Sequence, residues 1–327
     1  MTHSISRRHA CLSTLALGIA GLPGLSHAQS YPARPVELVV PYPPGASTDM
    51  IARTLQARMS SLLGQQLVID NKGGAGGNIG AAYVARSPAD GYRLLLATNA
   101  ITTINPHVSK NNQFDALKDL VPVGQICNGP LAIAVRSDSP VSTIAELVAY
   151  AKKNPGKLSF GSAGNGSPQH VVGELLKQRA EIFMVHVPYR GIGPALTDLL
   201  AGNIQVMVGT LASVTAQLAA GKIKVLAIAE HQRFSPSPNI PTVAETYPGF
   251  FATSWFGIYA PAGTPPDVIQ RLNAALNTTL AAEDVRAKLT AASLPPAPGT
   301  PEALAKLTLD DYTRWGKLIK ERNIQAD

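Results

Sequence analysis

The feature that most restricts the fold of this chain is a repeated alternation of short apolar runs with stretches of helical periodicity. Val36–Val40 is apolar, stops at Pro41, crosses a turn rich in Pro and Gly, and gives way to Ile51, Leu55, Met59 and Leu62 at helical spacing. Gly64 ends that helix. Gln66–Asp70, Tyr92–Thr98 and Leu120–Ile126 repeat the strand signal, and the glycine-rich stretch Asn71–Gly80 leads into a helix whose apolar side is Ile79, Tyr83 and Val84. A second series follows, with strands at Pro130–Arg136, Leu158–Ser162, Met184–Tyr189, Ile204–Val208 and Lys224–Ala229. Helices are expected from the Thr143/Glu146 capping box, at Pro168–Arg179, at Pro194–Ala201 and near Ser213–Ala220. Strands that alternate with helices make a parallel sheet covered on both faces, so two series mean an α/β chain with two sheets.

The tail fits neither series. Trp255–Tyr259 reads as a lone strand, Thr264 as the cap of a helix with Pro265 at its first position, and Thr300-Pro301-Glu302 as the start of a last helix burying Leu304, Leu307, Trp315 and Leu318. One strand with its helices is too little for a domain. The economical solution returns the chain to the first sheet, giving one lobe from 29–127 plus 250–327 and another from 128–249. The chain then crosses between lobes twice, near Cys127–Gly129 and near His231–Phe250, which makes a hinge with a cleft.

Residues 1–28 stand apart. Arg7 and Arg8 precede an apolar centre, Leu12 to Leu25, and Ser26-His27-Ala28 offers a small-x-small cleavage site, so an export signal and a periplasmic destination are expected. Ser6-Arg7-Arg8 admits twin-arginine export, but His9-Ala10 replaces the apolar residue expected after the pair, so general secretion stays open as well. No later apolar run reaches about 18 residues, which argues against a membrane-embedded body. With the signal removed, the net charge of +7 falls by two, and the remaining Lys and Arg are scattered. Nucleic acid, which would want a basic stripe with interleaved aromatics, is excluded as a partner. Cys11 leaves with the signal and Cys127 stays alone, so the core must do without an intramolecular disulfide.

In an open α/β sheet, ligands lie outside the carboxyl ends of the strands. At the end of the first strand stands Pro41–Asp49, with Ser47 as N-cap and Thr48 and Asp49 in the first helical turn; its unpaired N–H groups suit a small anion, although a βα connection that binds nothing has the same look. The second lobe offers a counterpart, G-S-A-G-N-G-S-P-Q-H after Leu158–Ser162, where Ser167 is the N-cap and Pro168 the first helical residue. Thr98-Asn99 and Gly209-Thr210 fall at equivalent strand ends. Enzyme motifs are absent: Ile79 stands where a dinucleotide fingerprint needs Gly, no G-K-[ST] follows a Gly-rich loop, and no G-x-S-x-G elbow occurs. His107, His170, His186 and His231 show no metal-ligand spacing and read as ordinary, with His170 alone near the cleft. Asp49 lacks a partner nucleophile, and Arg190 reads as a solvated loop charge.

Several motifs in fixed order then resemble one family: Y-P-x-R-P-V at Tyr31–Val36, P-Y-P-P-G-A-S-T-D at Pro41–Asp49, G-A-G-G-N-I-G at Gly74–Gly80, A-D-G-Y-R-L-L at Ala89–Leu95, A-G-x-G-S-P-x-H at Ala163–His170, V-P-Y-R-G at Val187–Gly191 and F-G-I-Y-A-P-A-G-T-P at Phe256–Pro265. Together they are similar to the Bug family, the periplasmic solute receptors of tripartite tricarboxylate transporters. The resemblance implies a type II periplasmic-binding-protein fold that closes on a small carboxylate (a dicarboxylate, a tricarboxylate or an aromatic acid) without cofactor, metal or catalysis. It implies a monomer that delivers its ligand to membrane subunits of a transporter. Carried over by position, the ligand contacts are Tyr42, Gly45, Ala46, Ser47, Thr48, Asp49, Thr98 and Asn99 in the first lobe and Ser162, Gly164, Asn165, Ser167 and Thr210 in the second. Relatives commonly carry Gly-Gly where this chain has Gly45-Ala46, so its pocket floor is expected to differ. A periplasmic sensor feeding a signalling partner, or a hydrolase or lyase using Asp49 or His170 in the same cleft, are the alternative functions.

Overall fold

The computed structural model describes residues 31–45, 47–109 and 113–325; the expected export signal, residues 1–28, and Ala46 lie outside them. In chain order the first part of the chain forms β1 (Val36–Val40), α1 (Ser47–Leu63), β2 (Leu67–Asn71), α2 (Asn78–Ala85), β3 (Arg93–Thr98), α3 (Asn105–Val108) and β4 (Leu120–Gly129). There follow β5 (Leu131–Arg136), α4 (Ile144–Lys153), β6 (Ser159–Ser162), α5 (Pro168–Ala180), β7 (Val185–Pro188), α6 (Ile192–Ala201), β8 (Val206–Thr210), α7 (Leu211–Ala219) and β9 (Ile223–Ile228). The tail supplies β10 (Ser254–Pro261), α8 (Pro266–Ala281), α9 (Glu283–Ala291) and α10 (Pro301–Glu321).

Two five-stranded sheets result, in the orders β2-β1-β3-β10-β4 and β7-β6-β8-β5-β9. The returning strand β10 joins the first sheet, as its isolation in the tail demanded. Neither sheet is wholly parallel, which corrects the reading from alternation alone. β1 pairs parallel with β2 and β3, and β6 with β7 and β8, whereas β10 runs antiparallel to β3 and β4, and β5 antiparallel to β8 and β9. The parallel strands are those joined through helices; the antiparallel ones are next to the places where the chain changes sheet.

The two crossings are hydrogen-bonded to each other's surroundings. β4 runs through Pro130 straight into β5, and the Pro130 carbonyl accepts from Leu211 N at 2.8 Å. On the way back, Ala229 N donates to the Leu131 carbonyl at 2.7 Å and Ala252 N to the Ala229 carbonyl at 2.9 Å. Cys127, on β4 beside the first crossing, is fully buried, and burial pushes its thiol pKa well up.

Three local expectations are corrected. α8 begins at Pro266, and the Thr264 hydroxyl donates to the Pro261 carbonyl at 2.7 Å, so it closes a turn in place of capping the helix. α2 buries Ala81, Ala82 and Val84, while Ile79 and Tyr83 are exposed; the small residues let the helix lie close to the sheet. α9 escaped notice because its buried apolar residues are only Val285 and Leu289, too few for a periodic signal.

α10 starts at its Thr300 cap, which accepts from Ala303 N at 3.2 Å. Along the first sheet it is held by Trp255 Nε1 donating to Asp311 Oδ2 at 2.8 Å and by a 2.5 Å hydrogen bond between Tyr259 and Thr308. Its far end reaches the other sheet: Trp315, Leu318 and Ile319 share a buried cluster with Leu131, Ile133, Val171 and Leu176. The last helix therefore packs on both sheets.

Candidate functional site

At the carboxyl ends of β1, β2 and β3 three loops are tied together. The Tyr42 hydroxyl lies 3.1 Å from Thr98 Oγ1 and donates to the Gly76 carbonyl at 3.3 Å, while Asn71 Nδ2 donates to the Tyr42 carbonyl at 3.1 Å. Burial pushes the Tyr42 phenol pKa up, so it remains a neutral donor. Gly77 has φ 98°, and a Cβ there would sit 2.6 Å from Ile101 Cδ1, so only glycine lets this loop approach the turn after β3.

The start of α1 is organised by Asp49. Its Oδ2 accepts from Gly45 N at 3.1 Å and from Arg53 Nε at 2.9 Å, which together hold the carboxyl below the usual carboxylate range. Asp49 is thus an ionised, buried capping group, poorly suited to act as a base. Ser47 is the first residue of the helix and exposed, so it is not the N-cap expected from sequence. Thr48 is 3% exposed, and its Oγ1 and Asp49 Oδ1 are buried with no hydrogen-bond partner among the described residues. Buried polar atoms without partners are costly and uncommon, and these two stand at the positive end of a 17-residue helix.

The second-lobe loop is differently made. Ser162 ends β6 and is fully buried, with Oγ 2.7 Å from His186 Nε2 and accepting from Gly164 N at 3.1 Å. Ser167 caps α5 as expected: its Oγ accepts from His170 N at 3.2 Å and donates to the Gly164 carbonyl at 2.7 Å. Gly166 N donates to His170 Nδ1 at 3.2 Å. Gly164 and Gly166 have φ 125° and 70°, and Asn165 lies half-buried between them. Thr210 ends β8 and caps α7, accepting from Ser213 N at 3.3 Å.

His170 and His186, far apart in sequence and without metal-ligand spacing, meet in the fold. Their rings stack at 3.7 Å with 9° between planes, and burial, then the nearby His170 and Lys177, push the His186 pKa down to about 3. His170 was legible as a residue three after the Ser167 cap, whereas His186 on β7 carries no local signal because its partners are on β6 and α5. Beneath the pair, Glu174 accepts from Lys177 Nζ at 2.6 Å and from Arg322 Nε at 3.0 Å, joining α5 to the end of α10.

The two loop systems converge on the crossings. Asn99, following Thr98, is 1% exposed and is committed there: Nδ2 donates to the Thr253 carbonyl at 3.2 Å and Oδ1 accepts from Ser254 Oγ at 3.2 Å. Thr210 pairs with Leu131 at the other crossing. A Cβ on Gly166 would lie 2.9 Å from Val108 Cγ2, so the loop after β6 rests on α3. A cavity of about 850 Å³ lies elsewhere, on the crossings themselves, bounded by Asn128, Pro130, Glu230, Phe251 and Arg286; burial pushes its Glu230 carboxyl up to about 7. Arg190 is exposed. Among the described residues no group of three His, Cys, Asp or Glu could hold a metal ion, and no helix is long and apolar enough to cross a membrane.

The model of the tripartite tricarboxylate transporter family receptor, TctC, matches residues 51–324. Among curated relatives, the UPF0065 protein in the tcbD-tcbE intergenic region of Pseudomonas sp. strain P51 is 39% identical, covering 91% of this chain and 89% of its own length. Protein BugT of Bordetella pertussis is 34% identical, covering 93% and 94%. Among solved structures, R. palustris Rpa4515 with adipate superposes with TM-score 0.79 at 36% identity over 90% of this chain and 99% of that one. The periplasmic binding protein BugD gives 0.76 at 34% over 91% and 100%, and MatC from Rhodopseudomonas palustris with bound malate 0.75 at 31% over 88% and 100%.

Proposed function

Because the chain belongs to the tripartite tricarboxylate transporter receptor family, the Bug receptors, we propose that it is an exported, non-catalytic receptor that captures a small carboxylate between its lobes and delivers it to the membrane subunits of such a transporter. The observation that carries this reading is the start of α1, where the buried Thr48 hydroxyl has no partner among the described residues and stands in the first turn of a helix. A carboxylate oxygen accepts from that hydroxyl and benefits from the helix dipole. The loop at Ser162–Ser167 forms the opposing wall, with Asn165 and the α5 terminus facing the ligand. Closure is stabilised because the ligand touches both lobes. The relatives' adipate and malate support a dicarboxylate as the ligand class. Residues 1–28 direct the chain to the periplasm, where the receptor works as a monomer.

Thermal-shift measurements across linear dicarboxylates, hydroxy acids, a tricarboxylate, aromatic acids and a neutral sugar test the reading. At least one carboxylate is expected to raise Tm by several degrees at millimolar concentration. A shift with the sugar and none with any carboxylate would overturn it.

A further inference from the structure

The loop 162–167 contains two glycines at positive φ, so its backbone has little intrinsic preference for one shape. Its order comes from where its donors go. Gly164 N is taken by Ser162 Oγ and Ser167 N by the Gly164 carbonyl, both within the loop. The remaining anchors come from outside it: Tyr189 N and Gly191 N donate to the Ser162 and Ala163 carbonyls at 3.3 Å, His170 Nδ1, on α5, accepts from Gly166 N, and His186 Nε2, on β7, meets Ser162 Oγ. The two rings then lie flat on one another at 3.7 Å, and Phe160 packs against His186 with ring centres 4.8 Å apart. Neither imidazole can tilt without the other.

Resting on the carboxylate-receptor reading above, we propose that His170 and His186 are positioning residues for ligand capture: a neutral, stacked pair that sets the shape in which the second-lobe loop meets the ligand. Neutrality follows from the contacts. His170 Nδ1 accepts an N–H, so its ring proton is on Nε2, and a second proton would aim one donor at another. The charged groups facing the pair are Glu174, Lys177 and Arg322. His170 Nε2 is 3.9 Å from Glu174 Oε1, but that carboxylate is already engaged by Lys177 and Arg322. Lys177 also disfavours charge on His186. Removing an imidazole nitrogen while keeping a flat ring separates its acceptor role from its bulk. Asn places an oxygen where His has Nδ1, and Gln places a polar group where His has Nε2.

The test compares His170→Phe with His170→Asn, and His186→Phe with His186→Gln, in the full chain, reading amide hydrogen exchange at Gly164 and Gly166 together with adipate and malate affinity by calorimetry. Exchange at Gly166 is expected to quicken about tenfold or more in His170→Phe and to stay near wild type in His170→Asn. Affinity should fall about tenfold in both Phe variants and recover to within about threefold in the Asn and Gln variants. In wild type, long-range ¹⁵N spectra should show His170 as the Nε2–H tautomer, a readout that survives even if a variant does not fold. Unchanged Gly166 exchange in His170→Phe, equal affinity in the Phe and amide variants, or a protonated His170 Nδ1 at neutral pH would each overturn the inference. A wild type that binds no carboxylate overturns the receptor reading, while the exchange and tautomer results still decide whether the pair shapes the loop.

Discussion

The starts of α1 and α5 are both helix N-termini after a glycine-containing loop, yet they are held by opposite means. α1 organises itself: Asp49 accepts from Arg53 one turn on and from Gly45 N just before the helix, and Thr48 Oγ1 has no partner among the described residues. α5 needs help from elsewhere: its own Ser167 and His170 hold the loop, but His186 reaches it from β7, and a buried Glu174 ties the helix to the end of the chain. On the receptor reading proposed above, the start of α1 keeps polar capacity in reserve and would respond to the ligand, whereas the α5 loop is completed beforehand and carries more of the stability.

The largest effect should come from breaking the arrangement under α5. Glu174→Gln leaves Lys177 buried without its anion, a loss of about 3–5 kcal/mol by urea unfolding if the pair behaves like other buried ion pairs. Acid should act on the same side. His186 titrates near 6.5 when unfolded and at about 3 when folded, so between these values the unfolded chain binds more protons and stability falls as pH drops. A loss on the order of 2 kcal/mol by pH 4.5 is expected, and His186→Gln should flatten the curve of Tm against pH.

Changes at α1 should be smaller in stability and larger in binding. Asp49→Ala removes the group that accepts from Gly45 N and is expected to cost about 1–2 kcal/mol. Because the Asp49 carboxyl pKa is depressed in the fold by Arg53 and Gly45, its contribution is present above the ordinary carboxylate range and is lost as pH falls through the folded value. The smallest stability effect should be that of Thr48→Val, which removes a buried hydroxyl without a partner among the described residues: Tm unchanged or raised slightly, with adipate or malate affinity reduced about tenfold. A Thr48→Val protein that loses stability and keeps its affinity would erase the contrast between the two helices.

Much of this was legible in the chain because it is written locally. Pro41 ends β1, Ser167 caps α5, Thr300 caps α10, and the lone strand around Trp255 had no sheet to join except the first. What escaped depended on distant partners. Asn99 follows a strand and looks like a cleft residue, but its carboxamide is bonded to Thr253 and Ser254, 154 and 155 positions away. His186 looks like any residue on a short strand until β6 and α5 are placed beside it. Ser47 falls one step inside the helix, and the carboxylate of Asp49 reaches back to Gly45 N and fastens the entering chain to the first turn. α10 was expected to serve one sheet, and its hydrophobic spacing does not reveal that its last turns bury Leu318 and Ile319 against the other.

The burial of Cys127 has a practical consequence. It is the one cysteine among the described residues, and a thiol held protonated inside β4 is a poor nucleophile. In a chain lacking residues 1–28, and with them Cys11, a cysteine introduced at an exposed position such as Pro43 or Arg190 would then be the sole site open to a maleimide dye. Conjugates of this kind would test the proposed closure on a ligand through a fluorescence change, with no native cysteine replaced to silence the background.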